Sequence, residues 1–458
     1  MKSDYLTEKN PLQALTVFAI PIILGNLFQQ LYTMADSAIV GRFVSEQALA
    51  AVGASYSLTM VFICVAIGGG IGASVVVSRH YGAKDSRMTR TAAGTALIAF
   101  LVLSILLGLF GLVFSRQIMI WLRTPADVLD MAALYLRIYF VGLPFLFMYN
   151  ILSSMFNAIG DSRTPLVFLI FSSVFNVGLD LLLVAHFQMG VAGAAWATLI
   201  AQGTSAVLSF LVFLRRLRGI GTEDPRSVEE PYHFSFSRNE LADMTRIALP
   251  SILQQSTVSI GMMLVQSVVN SFGSEVLAGY SAAMRVEGLC VVPLVSIGNA
   301  LSPYTAQNIG AGKTDRVPRG LKVGFGMVVA FCLVIGISLQ IFAQPIIGFF
   351  MGEEISEMAL WTGMADIRFT GCFYVFLGGK MAVDGVLRGA GDVKMFTIAN
   401  LVNLTIRVVL AVTLAPRIGV QMVWIAVPLG WLANLLISGA QYRTGKWRKV
   451  YAEKASII

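Results

Sequence analysis

Charged side chains are scarce in this chain. Asp, Glu, Lys and Arg together make 13% of its 458 residues, about half the share found in a water-soluble domain. That deficit excludes an ordinary soluble protein. Six stretches contain none of the four: 47–78, 91–115, 247–274, 288–312, 323–352 and 418–442. A helix needs about 20 apolar residues to cross a bilayer, and runs of this length suit helices rather than the ten-residue alternation of a membrane barrel. Cysteine and histidine are nearly missing as well. Cys64, Cys290, Cys332 and Cys372 stand singly in apolar runs without CxxC or Cys/His spacing, which argues against a zinc site or a disulfide framework. His80, His186 and His233 fall in segments that read as loops, so the metal set or nucleophile–base pair that an intramembrane enzyme requires is not expected. Neither catalytic residues nor a cofactor are predicted. A cleavable leader is not expected either, because the start MKSDYLTEKNPLQ is polar and the first apolar run has no small-residue cleavage site.

What the chain does have is apolar residues, 56% of the total. Reading apolar blocks against polar and Pro/Gly breaks predicts twelve spans, at 13–38, 48–78, 92–115, 131–157, 165–186, 190–214, 242–270, 277–307, 321–345, 360–387, 395–415 and 419–441. One long hydrophilic stretch, with Pro225 and Pro231, separates six spans from six. The expected organisation is a first six-helix lobe over 1–214, a cytoplasmic linker over 215–241 and a second six-helix lobe over 242–458.

The halves resemble each other at a shift of about 229 residues. Ala-Ile-Pro21 recurs as Ala-Leu-Pro250, and Phe43-Val-Ser-Glu46 as Phe272-Gly-Ser-Glu275. Tyr-Gly82-Ala recurs as Ile-Gly310-Ala, Gly160-Asp161 as Gly391-Asp392, and Gly190-Val191 as Gly419-Val420. An internal repeat of this kind marks many transporters. Six is an even number of crossings, so both halves enter the membrane from the same side and the repeats are parallel. A path between two such lobes is the natural expectation. Candidates to line it are Gln30 and Met34 from the first lobe and Gln254, Gln255, Met262, Arg285, Glu287 and Arg407 from the second.

Lys and Arg set the orientation. One side of the predicted spans carries 24 of the 33 basic residues and the opposite loops carry 4, so both termini and the linker are expected in the cytoplasm of a multi-pass cell-membrane protein. The net charge of +8 is thereby explained by topology and contact with anionic lipid. A nucleic-acid partner would need one clustered basic face, and none is seen.

An ionisable group in hydrocarbon costs about 2.5–3.5 kcal/mol on insertion scales, so each one retained there is a functional candidate. The first lobe has Asp36 in span one and Asp180 in span five, with Asn176 four residues before Asp180 on the same helix face. Buried carboxyls favour the neutral form, which suits reversible protonation, and with amide and hydroxyl oxygens beside them they also suit Na⁺. Thr198 and Tyr135 are candidates to supply such oxygens. Apart from Na⁺ at Asp36, Asn176 and Asp180, no metal is expected. The second lobe does not repeat this set: Asn403 and Arg407 stand where Asn176 and Asp180 do in the first. Lys380 and Asp384, four apart in span ten, read as an ion pair on one helix face. Arg285 and Glu287, two apart, face different directions and need different partners. The run Gly68-Gly69-Gly70-Ile-Gly72 reads as close helix packing or a flexible joint.

The ordered set of Asp36 with Val40-Gly41-Arg42, the Tyr-Gly82-Ala and Asn308-Ile-Gly310-Ala turns, and the paired Gly-Asp turns resembles the multidrug and toxic compound extrusion (MATE) family over nearly the whole chain. That resemblance implies a two-lobed all-α membrane protein of twelve transmembrane helices, a secondary antiporter that exports small organic compounds, often cationic or amphipathic, in exchange for H⁺ or Na⁺. It also implies a first-lobe cation site of Asp36, Asn176, Asp180 and Thr198, with Tyr135 nearby. Some family members use an acid in span seven and another in span ten; here span seven has no acid and Leu377 takes the expected place in span ten. A path within one chain needs no partner subunit, so a monomer is expected. The rival reading is a lipid-linked oligosaccharide flippase of the same superfamily, for which Arg285, Arg368 and Arg407 would hold a pyrophosphate.

Overall fold

The computed structural model describes residues 5–43, 46–220, 235–351 and 356–448, with side chains left out at 35–43, 46–49 and 57. The described residues form helices and no strand. In order these are α1 (Tyr5–Glu8), α2 (Pro11–Phe43), α3 (Glu46–Gly82), α4 (Ser86–Trp121), α5 (Leu129–Ala158), α6 (Arg163–Asp180), α7 (Gly190–Gly219), α8 (Arg238–Asn270), α9 (Ser274–Gly310), α10 (Arg316–Met351), α11 (Glu357–Gly371), α12 (Tyr374–Gly389), α13 (Val393–Ile418) and α14 (Gln421–Arg443). Eleven of them, α2 to α10 with α13 and α14, are long and apolar enough to cross a membrane. The pair α11 and α12 supplies the twelfth crossing. Span ten is therefore not the continuous helix expected at 360–387: it breaks at Cys372-Phe373, between helices of 15 and 16 residues.

The repeat is visible in backbone geometry. Gly160 and Gly391, which open the matching Gly-Asp turns, have φ of 80° and 77°, and Gly190 and Gly419 also lie at positive φ. Glycine is the residue that holds this conformation without strain, so the sequence match and the turn geometry have one cause. The termini of the linker region are helical: α7 runs through Gly219 and α8 begins at Arg238, while 221–234 lies outside the described residues. The helices divide into two compact units. One holds Leu24–Ile252, and the other holds the chain up to Ile23 together with Leu253 onward. The divisions between these units fall inside α2 and α8.

In the first unit α5 packs against α3, α4 and α7. Phe140, Leu143 and Phe147 of α5 form the centre of its core with Ala66 of α3 and Met119 of α4. The glycine run of α3 is a packing device. A Cβ at Gly68 would meet the backbone of Ile252 at 2.5 Å, one at Gly72 the backbone of Met244 and Ala248 at 2.6–2.7 Å, and one at Gly70 the side chain of Ser154 at 2.5 Å. Absence of side chains lets α8 and α5 approach α3 closely. His80, expected in a loop, is the last-turn residue of α3 and lies 3.0 Å from Glu240 on α8; His186 ends a π-helical turn, and His233 lies outside the described residues.

In the second unit α9 packs on α10, α11 and α12, and α13 on α14. A Cβ at Gly298 of α9 would meet the Met381 carbonyl of α12 at 2.5 Å, and one at Gly385 would collide with the Gly298 carbonyl. Short α1 is held by the α9–α10 turn. Asn308 Nδ2 donates to the Leu6 carbonyl, Lys313 Nζ to that of Thr7, and Arg316 Nη2 to that of Lys9.

Candidate ion and substrate sites

In the first unit three helices bring polar groups together. Tyr32 Oη of α2 donates to Asn176 Oδ1 of α6 at 2.7 Å. Asn176 Nδ2 in turn faces Thr198 Oγ1 of α7 at 3.4 Å. Thr198 donates back to the Ala194 carbonyl at 3.1 Å, so its lone pairs are left to face the amide. Beside them lies a cavity of about 30 Å³, lined also by Gln29, Tyr149 and Ser172. A water needs roughly 10–15 Å³, and the cavity has room for one or two waters or a bare monovalent cation. Part of its lining is oxygen and amide, the donor chemistry that hard cations take, beside the apolar Leu169 and Ala201.

Asp180 is fully buried, one turn beyond Asn176 on the same face of α6. The backbone changes there: α6 ends at Asp180 and continues as a π-helical turn, Leu181–His186. Such turns concentrate at functional sites because the extra residue re-aims the side chains around it. Tyr135 is half-buried on α5, within electrostatic reach of Tyr139, which donates to the Thr59 carbonyl. Asp36 is on the helical backbone of α2, one turn after Tyr32, and its side chain lies outside the described residues. The structure thus brings Asn176 and Thr198 together and adds Tyr32, which the sequence reading had not assigned. Its signal was available: Tyr32 precedes Asp36 by four positions, one helical turn.

The candidate substrate residues are dispersed. Gln30 and Met34 are on α2 in the first unit, Met34 exposed. In the second, Gln254 is buried on α8, Gln255 partly so, and Met262 is exposed. Arg285 and Glu287 do separate as their spacing predicts. Arg285 is exposed and lines a cavity of about 370 Å³ with Glu275, Ser281, Phe350 and Ser356. Glu287 turns inward, within electrostatic reach of Arg407 on α13 and against Thr370 on α11. Asp366 of α11, 2% exposed, is close enough to Glu287 to interact with it.

Lys380 and Asp384 are each 1% exposed, and their connection is not the direct helix-face pair expected. The Asn400 amide stands between them, its Oδ1 accepting from Lys380 Nζ at 3.0 Å and its Nδ2 reaching Asp384 Oδ2 at 3.4 Å. Ser438 Oγ donates to Asp384 Oδ1 at 2.6 Å.

Membrane-long helices, a doubled six-span plan and ionisable groups held among the helices are how secondary transporters are built. The MatE family model matches residues 21–182 and again 250–413; the matches start 229 residues apart, as the internal repeat does. The chain belongs to this family and is a MATE transporter. It is 29% identical to the probable multidrug resistance protein YpnP of Bacillus subtilis, over 99% of this chain and 100% of that one. It is 23% identical to the multidrug export protein MepA of Staphylococcus aureus, over 84% and 85%. The fold is shared with a MOP superfamily transporter of Pyrococcus furiosus, described as having a binding pocket of reverse polarity that suggests a different function. The TM-score is 0.88 at 23% identity, covering 98% of both chains.

Proposed function

We propose that this protein is an antiporter of the cell membrane that exports small organic compounds, many of them cationic or amphipathic, in exchange for H⁺ or Na⁺. Export of drugs follows from its relatives, named for multidrug resistance and multidrug export. Cation coupling rests on one observation above all. In the first unit Tyr32, Asn176 and Thr198 meet at a small cavity with hydroxyl and amide groups in its wall, with the buried carboxyl of Asp180 one turn away. Asp36, Asp180, Asn176 and Thr198 form the coupling set, and Tyr135 is its outer neighbour. Occupation of this set by the cation favours one state of an alternating-access cycle, and its release favours the other. One charge moving through 100 mV releases about 2.3 kcal/mol, which at about 1.4 kcal/mol per tenfold sustains a roughly fifty-fold substrate gradient.

The chain acts as a monomer with both termini in the cytoplasm, its lobes 1–214 and 242–458 joined through 215–241. A flippase for lipid-linked sugar would need buried cations in excess to hold a pyrophosphate. In the second unit Lys380 and Arg388 lie about Asp384, and Arg407 lies near Glu287, itself within reach of Asp366; these three cations are balanced by three carboxyls, which favours organic compounds over pyrophosphates. Binding of cationic dyes by purified protein, with none of a lipid-linked oligosaccharide, is the expected outcome. Selective binding of the lipid-linked sugar would overturn the reading.

A further inference from the structure

Helix α8 meets α3 along a single seam. Gly68, Gly72 and His80 stand at multiples of four along α3, and Ile252, Ala248, Met244 and Glu240 at every fourth residue of α8 in the reverse order, so each set shares one helix face. The two glycines touch the α8 backbone at Ile252, Ala248 and Met244. All of these residues belong to the first unit. Helices in a bilayer gain no hydrophobic attraction for each other, so such a seam holds through close packing and polar bonds. A polar contact closes its end: His80 Nε2 and Glu240 Oε2 are 3.0 Å apart, with 17% and 12% of the two side chains exposed.

Glu240 has a second role open to it, written in the sequence. Ser237-Arg-Asn-Glu240 is a capping box; in that motif the serine hydroxyl caps the third helical amide, and the glutamate carboxylate reaches back to the serine N–H. Half of the box is formed. Glu240 N donates to Ser237 Oγ at 3.4 Å, and Leu241 N donates to the Ser237 carbonyl at 3.1 Å as the first bond of α8. The other half is replaced. Ser237 N donates instead to Thr95 Oγ1 of α4 at 2.9 Å, while the carboxylate is turned to His80. Thr95 is free to accept because its own hydrogen goes to the Thr91 carbonyl at 2.8 Å. Beside it Ser235 Oγ donates to Thr91 Oγ1 at 2.9 Å. Helix α4 thus takes over the serine N–H, which releases the glutamate to α3.

The two arrangements exclude each other. One N–H serves Thr95 or Glu240, and a helix-start amide with neither is an orphan that costs stability. While α8 lies on α3 and α4, Thr95 caps Ser237 and Glu240 holds His80. When α8 leaves that surface, both partners go at once, and the carboxylate returns to Ser237 to complete its own capping box. The helix start is satisfied in either place. We propose that Glu240 is a two-position latch, binding His80 when the start of α8 is docked and capping Ser237 when it is released. The latch deepens the alternating-access reading of the function, on which it rests, because such a cycle needs an element with two satisfied arrangements.

Spin labels at Ala83 and Asn239, both exposed, read the separation of the two helix ends in the purified full chain by pulsed electron paramagnetic resonance. Docked and released populations are expected. His80→Leu is expected to lower the docked-to-released ratio about tenfold or more, the weight of a hydrogen bond to a charged group. His80→Gln, which keeps a donor, is expected to fall between wild type and His80→Leu, and it serves equally if the leucine variant does not fold. Thr95→Val changes neither member of the pair, yet it leaves the Ser237 N–H to Glu240 and is expected to lower the ratio about two- to tenfold. Together His80→Leu and Thr95→Val are expected to do less than the product of their separate effects, since a carboxylate drawn to Ser237 no longer holds His80. Distances unchanged by these substitutions, or effects that simply multiply, overturn the proposal. Dye transport by the same variants is read separately. Distances that respond as stated uphold the latch whichever ion drives transport, and unresponsive distances in protein that still transports overturn the latch alone.

Discussion

Tyr32 and Asn176, 144 residues apart in sequence, are joined by a 2.7 Å hydrogen bond from phenol to amide oxygen. That bond fixes which way the amide faces: with Oδ1 taken by Tyr32, Nδ2 is the atom left for Thr198. Tyr32→Phe removes the donor and frees the amide to rotate. A neutral hydrogen bond is worth about 0.5–1.5 kcal/mol net, so the concentration of coupling cation giving half-maximal transport is expected to rise by roughly two- to tenfold. Cation-dependent efflux from proteoliposomes reads this directly. An unchanged half-maximal concentration would show that the bond has no part in the site.

Backbone contacts between α9 and α12 predict a contrast between two glycines. Gly385→Ala places a methyl group against the Gly298 carbonyl, a backbone atom that cannot move aside by rotating. Its cost is expected at about 1–3 kcal/mol, measured as a lower thermal unfolding temperature in detergent. Gly439, also helical, has nothing within 4 Å of an added Cβ, and Gly439→Ala should leave that temperature unchanged or slightly higher.

Asn400 joins two buried charges, which makes it more sensitive than a neutral residue usually is. Asn400→Leu leaves the Lys380 ammonium without its acceptor and removes one donor from Asp384. Breaking such an arrangement on one side costs about 3–5 kcal/mol, whereas replacing both charges together often costs little. Lys380→Met alone should therefore destabilise more than Lys380→Met with Asp384→Leu. Unfolding measurements on the two single variants and the double one complete the cycle.

The twelve-span plan and the repeat were legible because both rest on local signals: long uncharged runs, and glycines such as Gly160 and Gly391 whose turns demand them. Asp180 and Asn176 were legible for a similar reason, since spacing along one helix is written in the sequence. Interactions between helices were not. Nothing local announces that α2 offers Tyr32 to Asn176, or that Asn400, twenty positions from Lys380, comes between it and Asp384. The break at Cys372-Phe373 was hidden because no proline marks it.

Gradient-driven transport tests the central claim most directly. Proteoliposomes holding wild-type protein are given a pH gradient and a Na⁺ gradient in separate experiments, and movement of a cationic dye is followed for wild type, Asp36→Asn, Asp180→Asn and Asn176→Ala. Wild type is expected to move dye under at least one gradient, and both aspartate variants to insert and fold normally yet move none. Full gradient-driven transport by Asp36→Asn and Asp180→Asn would contradict the assignment of the coupling site to the first unit.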